Sequence, residues 1–154
     1  MAHSLSILFV HIVYHVNMAS VGIREDDEND LYAYIGSIIK SNNSIPIIIN
    51  GVDDHIHILC ILSKNMALAK LIEEIKKNSS RWIKELDPYY KSFSWQRGYG
   101  GFSVSYSLQD RVKKYIENQK AHHKKINFQE EYLRILKEYA IEFKEQYSLT
   151  NASQ

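Results

Sequence analysis

Two histidines stand one residue apart in an otherwise apolar stretch. His55 and His57 belong to "GVDDHIHILCIL", residues 51–62. Because residues two apart in a β-strand point to the same side of the sheet, we expect both imidazoles to face one way. Two neutral imidazoles side by side are suited to bind a metal ion, although two histidines packed in a core would give the same pattern.

A tyrosine and a glutamine form the second candidate set. Tyr115 and Gln119 lie four residues apart in a predicted helix and therefore share a face. Tyr115 alone could be a core aromatic, but a buried Gln119 amide would need partners for several hydrogen bonds. With His55 and His57, the amide oxygen could hold a divalent cation and leave positions open for a phosphate.

This combination predicts a definite chemistry. The phenol of Tyr115 would attack a phosphodiester and release a 3′-hydroxyl, and a metal or nearby base must help because an ordinary phenol has a pKa near 10. The phosphotyrosine bond would keep the energy of the phosphodiester, so a second 3′-hydroxyl could rejoin the strand without ATP. The sequence has no Gly-x-x-x-x-Gly-Lys-Ser/Thr loop, in agreement with that expectation.

The length and composition favour one domain in a reducing compartment. A chain of 154 residues can bury one core, and its single cysteine, Cys60, excludes an internal disulfide or a cysteine-based metal site. The N-terminus is typical of a strand and lacks the features of a signal peptide, and no apolar run is long enough for a membrane span. We therefore expect a cytoplasmic protein with no membrane partner.

Charge is divided unevenly along the chain. Residues 64–125 carry fourteen basic and six acidic side chains, whereas the remainder carries five and twelve. This division favours a basic surface for a polyanion, although solvated helix faces would give it equally well. The candidate DNA-binding residues are Lys76, Lys77, Arg81, Lys84, Arg97, Lys114 and His122.

Hydrophobic patterning predicts a β-α-β-β-α-β order with an additional strand or hairpin and two C-terminal helices. The fold class is α+β, a ferredoxin-like or RRM-like antiparallel sheet with two helices on one face and C-terminal helices that carry Tyr115. The predicted domain spans residues 1–147 and the predicted disordered tail residues 148–154. The predicted elements are a strand at 5–16, a helix after the acidic run, a hairpin turning at 51–54, and helices at 66–86, 109–124 and 128–139.

Four other histidines are assigned from their positions. His11 and His15 lie on one side of the first predicted strand, where we expect packing residues or, for His11, a group near the metal. His122 and His123 could contact phosphate or hydrogen-bond around the site, although for His123 a position at the surface of a basic helix is favoured.

The chain resembles the HUH single-tyrosine transposases, which move insertion sequences as single-stranded DNA and include palindrome-associated relatives. "GVDDHIHILCIL" is similar to the Gly-Val-Pro-Asp-His-Val-His-Leu-Leu strand of that family. Further similar blocks follow in the order of the family and cover nearly the whole chain: "NSSRW" (78–82), "WQRGYGGFSVS" (95–105), "YIENQKAHH" (115–123) and "FQEEYLRILKEYAIEFKEQY" (128–147).

The resemblance implies a role for each candidate residue. His55, His57 and Gln119 would bind Mg²⁺ or Mn²⁺, and Tyr115 would form a 5′-phosphotyrosine. It also implies a bacterial enzyme that recognises single-stranded DNA hairpins at element ends, and a homodimer in which one subunit supplies the tyrosine to the histidines of the other. Two features depart from the family: Asp53 replaces a proline, and "VNMASVGIREDDEND" is acidic where many relatives are basic.

Two other functions also fit parts of the sequence. A non-catalytic module that binds single-stranded nucleic acid would explain the fold and the basic half, but it gives Tyr115 and Gln119 no task. A metal-dependent hydrolase would use the histidine pair and tolerate phenylalanine at position 115. Only the transposase interpretation gives a role to all four candidate residues: His55, His57, Tyr115 and Gln119.

Overall fold

The computed structural model describes residues 3–123 and 126–139, and within them four strands form an antiparallel sheet in the order β2-β3-β1-β4. The strands are β1 (Leu8–His15), β2 (Ile45–Gly51), β3 (His55–Leu62) and β4 (Gly100–Val104). The helices are α1 (Glu28–Ser41), α2 (Leu68–Leu86), α3 (Gln109–Glu117), α4 (Gln119–His122) and α5 (Phe128–Glu138). The predicted α+β fold with an antiparallel sheet is confirmed.

One face of the sheet carries the main hydrophobic core. Side chains alternate along a strand, so Ile12 of β1 and Ile58 of β3 both point to this face, where each is completely buried. Helices α1 and α2 cover it with the stripes that the sequence predicts. The fully or almost fully buried helical members are Leu31, Ile35, Ile39, Leu71, Ile72, Ile75 and Ile83.

The opposite face is covered by the C-terminal helices. Val13, Phe102 and Ile135 belong to one apolar cluster on this face, and Phe9, Leu59, Val104 and Ile116 form a second one. This face also carries buried polar side chains, His11 on β1 and His55 and His57 on β3. We call this group the polar centre of the face.

A tight hairpin sets the start of β3. A side chain at Gly51 would place its Cβ atom 2.2 Å from the carbonyl oxygen of His55, so only glycine fits this close approach. The turn is also tied to other segments, because the carbonyls of Asp53 and Asp54 accept hydrogen bonds from the amides of Ile23 (2.8 Å) and Val16 (2.7 Å). The predicted hairpin is confirmed, and it holds His55 in a rigid setting.

The helix predicted at 109–124 is interrupted. It ends at Glu117, and α4 begins after Asn118. The Asn50 side chain of β2 donates hydrogen bonds to the carbonyls of Ile116 (2.9 Å) and Glu117 (3.2 Å) at this helix end. Periodicity alone cannot reveal this cap, because Asn50 is distant in sequence.

The remaining differences are at element ends. The first strand begins at Leu8 and the long helix at Leu68, slightly later than predicted. The predicted domain end at residue 147 and the disordered tail at 148–154 lie outside the described residues. Among the helices that are described, none is both long and apolar enough to span a membrane.

Candidate metal and nucleophile site

His55 and His57 of β3 are completely buried on the face of the sheet that the C-terminal helices cover. The Nδ1 atom of His55 lies 2.7 Å from Oδ1 of Asp54, and Nδ1 of His57 lies 2.9 Å from Nε2 of His11. These contacts leave both Nε2 atoms directed into the site. Outer hydrogen bonds of this kind orient histidine ligands and select their tautomer.

Glu131 of α5 occupies the centre of the site. Its Oε1 atom lies 2.9 Å from Nε2 of His57 and 3.2 Å from Nε2 of His55. Its Oε2 atom accepts a hydrogen bond of 2.8 Å from the amide nitrogen of Gln119, whose own oxygen lies 3.1 Å from Nε2 of His55. The buried Gln119 amide is thus satisfied by polar partners.

Tyr115 reaches the same carboxylate from α3. Its phenol donates a hydrogen bond to Oε2 of Glu131, and its ring centroid lies 5.8 Å from that of His57. The side chain is half-buried and lines a cleft of about 330 Å³. The phenol therefore lies beside the histidine pair and also adjoins open space.

Burial and charge act in opposite directions on these groups. Burial alone would raise the pKa of the Glu131 carboxyl, but hydrogen bonds from His123, His55 and His57 hold it well below its usual range. Burial and then the Glu131 charge raise the pKa of the Tyr115 phenol far above its ordinary value. Without a cation, the site therefore keeps Glu131 ionised and Tyr115 protonated.

The two imidazoles differ in protonation. Burial opposes the charged form of His55, but hydrogen bonds to Asp54 and Glu131 outweigh it and raise its pKa to about 9. At His57 burial dominates and lowers the pKa to about 4. The positive charge of His55 thus compensates the negative charge of the buried Glu131 carboxylate, while His57 stays neutral.

The donor atoms fit a divalent cation. Neighbouring ligands of an octahedral ion lie about 3 Å apart, because each metal–oxygen bond is about 2.1 Å long. The distances of 2.9, 3.1 and 3.2 Å among the donors of His55, His57, Gln119 and Glu131 match that spacing. Nitrogen, amide and carboxylate donors together suit a divalent metal ion.

A family model now decides the class of the protein. The model described as "Transposase IS200 like" matches residues 4–119, which is most of the chain. The chain belongs to the IS200-like transposase family. No curated protein matches it.

Solved structures share the fold of this IS200-like transposase. A proposed transposase from Deinococcus radiodurans has a TM-score of 0.60 at 17% identity, over 77% of this chain and 95% of that one. A REP-associated tyrosine transposase bound to a REP hairpin has a TM-score of 0.58 at 14% identity, over 82% and 74%. At these identities the likeness concerns the fold alone.

Sequence reasoning missed Glu131. In this IS200-like transposase, Glu130 and Glu131 look like ordinary acids in the first turn of α5, where negative charge is favourable. The signal that could have found Glu131 is its helical position: it shares the apolar face with Phe128 and Ile135, three residues before it and four after it. An acid on the buried face of a helix requires a buried partner.

The other histidines of the transposase take different places. His11 bonds to His57 as described and lies 3.1 Å from the hydroxyl of Tyr139, so its expected position near the metal site is confirmed. The prediction for His123 is wrong, because its Nε2 atom lies 3.0 Å from Glu131 and its side chain is only 9% exposed. The backbone of His122 belongs to α4, but its side chain lies outside what the structure describes.

The basic residues of α2 lie across the sheet from Tyr115. The ammonium group of Lys76 donates to the carbonyls of Gln96 (2.8 Å) and Gly98 (2.7 Å), and Lys77 lies 3.3 Å from Glu74. Arg81 and Lys84 are exposed. Lys76 therefore has a structural task, and DNA binding by these four residues stays a prediction.

Arg97 and Lys114 are exposed, and their assignment to DNA also stays a prediction. Lys114 precedes Tyr115 on α3 and is the predicted DNA-binding residue nearest to it in sequence.

One chain supplies every group of the candidate site. The resemblance implies that the tyrosine comes from a second subunit, but Tyr115 here lies beside His57 of its own chain. The structure describes a single chain, so the homodimer with a shared site stays a prediction.

Proposed function

We propose that this transposase cleaves and rejoins single-stranded DNA through a covalent 5′-phosphotyrosine formed by Tyr115. Family membership supports DNA transposition, and one observation carries the finer mechanism. The phenol of Tyr115, the Nε2 atoms of His55 and His57 and the amide of Gln119 all meet at the Glu131 carboxylate. A hydrolase that uses bound hydroxide would need no phenol at this point.

The cleavage step exchanges one phosphate ester for another. The phenolic oxygen of Tyr115 bonds to phosphorus, and the bond from phosphorus to the 3′-oxygen breaks. The phenol proton passes to water, because the Glu131 carboxyl accepts the hydrogen bond of the phenol but, with a pKa well below its usual range, is a poor base. The departing 3′-oxygen takes a proton from water, so the step needs no oxidant, reductant or nucleotide.

The histidine pair, Gln119 and Glu131 would hold the divalent cation, Mg²⁺ or Mn²⁺. When bound, the cation supplies Lewis-acid stabilisation of charge on the phosphate oxygens. The protein orients its own donors for this task, since Asp54 and His11 hold the outer nitrogens of the two histidines. Glu131, which the sequence did not assign, would thus serve as a ligand and accepts the hydrogen bond that orients the Tyr115 phenol.

The DNA partner follows by analogy with a relative of the same fold. That relative is a REP-associated tyrosine transposase bound to a REP hairpin. We extend this to the present chain and propose that it acts on single-stranded DNA beside a hairpin. The 5′-phosphotyrosine is then attacked by a second 3′-hydroxyl, which reverses the cleavage step and joins the two strands.

Covalent capture tests the mechanism directly. Wild-type protein with Mn²⁺ and labelled single-stranded hairpin DNA should give an adduct that survives denaturation. Tyr115→Phe removes one hydroxyl and should abolish the adduct while it leaves DNA binding within about threefold, because a phenol that faces Glu131 adds little to binding.

The alternatives predict other products. Cleavage without an adduct, retained by Tyr115→Phe, would establish the hydrolase. Binding without cleavage in any divalent cation would establish the non-catalytic nucleic-acid module. Either result excludes the phosphotyrosine mechanism.

Mixing inactive variants tests how subunits contribute. We propose that each chain completes its own site, supported by the contact between Tyr115 and His57 within one chain. A mixture of Tyr115→Phe and His57→Ala proteins should then stay inactive even when subunits exchange. Recovered activity would instead support the shared homodimer site that the resemblance implies.

A further inference from the structure

A second cleft adjoins the candidate site at the end away from Tyr115. It has a volume of about 380 Å³, and its lining includes His15, Asn17, Met18, Asp53, Asp54 and Phe128. The ring of Phe128 lies 4.5 Å from that of His55, measured between centroids. We call this the Phe128 cleft, and nothing in the phosphotyrosine chemistry uses it.

The two clefts lie at opposite ends of the site. His11 lines the cleft of Tyr115, and His15 lines the Phe128 cleft. These residues point to the same face of β1 and are four positions apart, which corresponds to about 13 Å along a strand. Ring contacts run across the site in the order Tyr115, His57, His55, Phe128.

The character of the Phe128 cleft suits a base better than a phosphate. Asp53 and Asp54 bring negative charge, which repels phosphate but accepts hydrogen bonds from base N–H groups. Phe128 offers an aromatic ring, and unpaired bases commonly stack on such rings. Met18 at the rim is 90% exposed, and a stacked base would cover this apolar surface.

The geometry of the reaction gives the strand polarity. In phosphoryl transfer the attacking and leaving oxygens lie on opposite sides of phosphorus. Since Tyr115 attacks from one end of the site, the leaving 3′-oxygen faces the other end, where the Phe128 cleft lies. The nucleotide that carries this oxygen is the one immediately 5′ of the scissile phosphate.

We propose that the Phe128 cleft binds the unpaired base immediately 5′ of the scissile phosphate, and that it selects bases by their N–H donors. Guanine fits best, because its adjacent N1–H and N2–H groups can donate together to one carboxylate, as a guanidinium does. Asp53, which replaces a proline of the HUH single-tyrosine transposases, supplies that carboxylate. The polarity assigned here rests on the proposed phosphotyrosine chemistry, whereas the base-binding character of the cleft does not.

A binding experiment without metal tests the cleft independently of cleavage. The probe is a hairpin oligonucleotide with 6-methylisoxanthopterin, a fluorescent guanine analogue that keeps the adjacent N–H donors of guanine, placed at each flanking position in turn. We expect strong quenching at one position with Tyr115→Phe protein, and loss of that quenching when Phe128→Leu is added. Equal fluorescence at every position, or quenching unchanged by Phe128→Leu, would overturn the proposal.

A cleavage experiment tests the selection and the polarity. Wild-type protein and Mn²⁺ act on a hairpin library with randomised flanks, and the released fragments that end in a 3′-hydroxyl are sequenced. We expect guanine enrichment at their terminal nucleotide, and an abasic nucleotide there should slow adduct formation at least about fivefold. Asp53→Asn should weaken the preference, whereas Asp26→Asn, an equal charge change at an exposed site away from the cleft, should not.

The outcomes separate the two proposals. Adducts that form with no preference and no abasic effect at this nucleotide would refute the cleft and leave Tyr115 chemistry intact. No adduct with any library member would refute the chemistry, and the fluorescence experiment would still decide whether the cleft binds a base.

Discussion

The two faces of the sheet use the same strands for opposite purposes. Ile58 on one face packs with α1 and α2 in a dry core, while its neighbour His57 on the other face lies in a buried polar network. Both side chains are completely buried. Burial alone therefore does not distinguish core residues from candidate site residues in this sheet. The two groups differ in the side chains that the covering helices place against them.

The difference lies in how each face satisfies its residues. An apolar face requires only close packing, whereas buried imidazoles cost free energy unless they have hydrogen-bond partners. Five side chains of the candidate site contact the single carboxylate of Glu131: His55, His57, Tyr115, Gln119 and His123. Because these partners come from β3 and the C-terminal helices, the network forms only when the whole fold is assembled.

The largest expected effect comes from breaking the polar face. His57→Gln should reduce adduct formation at least about 10³-fold, because it removes an imidazole donor from the cation site. Denaturant unfolding should show a much smaller change in stability, since glutamine can still hydrogen-bond. A variant that cleaves at the wild-type rate would exclude His57 from the metal site.

A matched substitution on the apolar face should lower the stability of the fold and leave the activity nearly unchanged. Ile58→Ala should lower the free energy of unfolding by about 2–5 kcal/mol, because it leaves a cavity in the core. Urea unfolding measures this, and adduct formation per folded molecule should change less than about threefold. An activity loss as large as that of His57→Gln would show that the two faces are not separable.

A divalent cation should stabilise the folded chain only by binding to the polar face of the sheet. A cation that binds the folded chain alone stabilises it by about 2.7 kcal/mol at a hundred times its dissociation constant. Thermal unfolding with increasing Mn²⁺ should therefore show a rising Tm for wild-type protein, reversed by a chelator. The same titration should leave the Tm of His57→Gln nearly unchanged, and an equal rise in both would place the ion elsewhere.

The smallest effect concerns the basic residues of α2. Lys76→Met should cost about 1–2 kcal/mol in unfolding free energy, because it removes two charge-assisted hydrogen bonds to carbonyls. Lys77→Met serves as a control, since an exposed pair with Glu74 contributes little. If both variants weaken DNA binding equally and neither changes stability, Lys76 belongs to a DNA surface instead.

Patterns with a short period were predictable from the sequence. Alternation along β3 placed Ile56 and Ile58 on one side and both histidines on the other, and the structure agrees. The apolar stripe of α1 was equally clear. These predictions succeed because neighbours along one element decide which face a residue occupies.

Features that depend on distant partners were not predictable. At the break near Asn118 the side chain that caps the helix is the distant Asn50, and the partner of His123 is Glu131 on the next helix. Tyr115 and Gln119 were paired correctly by spacing, although the helix between them is interrupted. The roles proposed for these residues therefore await the capture experiments.

Asn50 ties the strand next to the histidines to the end of the helix that bears Tyr115. If the site acts as proposed, these two hydrogen bonds would oppose exchange of that helix with a neighbouring molecule. The severed DNA end would then stay anchored where it was cut, and the recipient strand would have to travel to it. During recombination the DNA strands would then move, while the helix that bears Tyr115 stays in place.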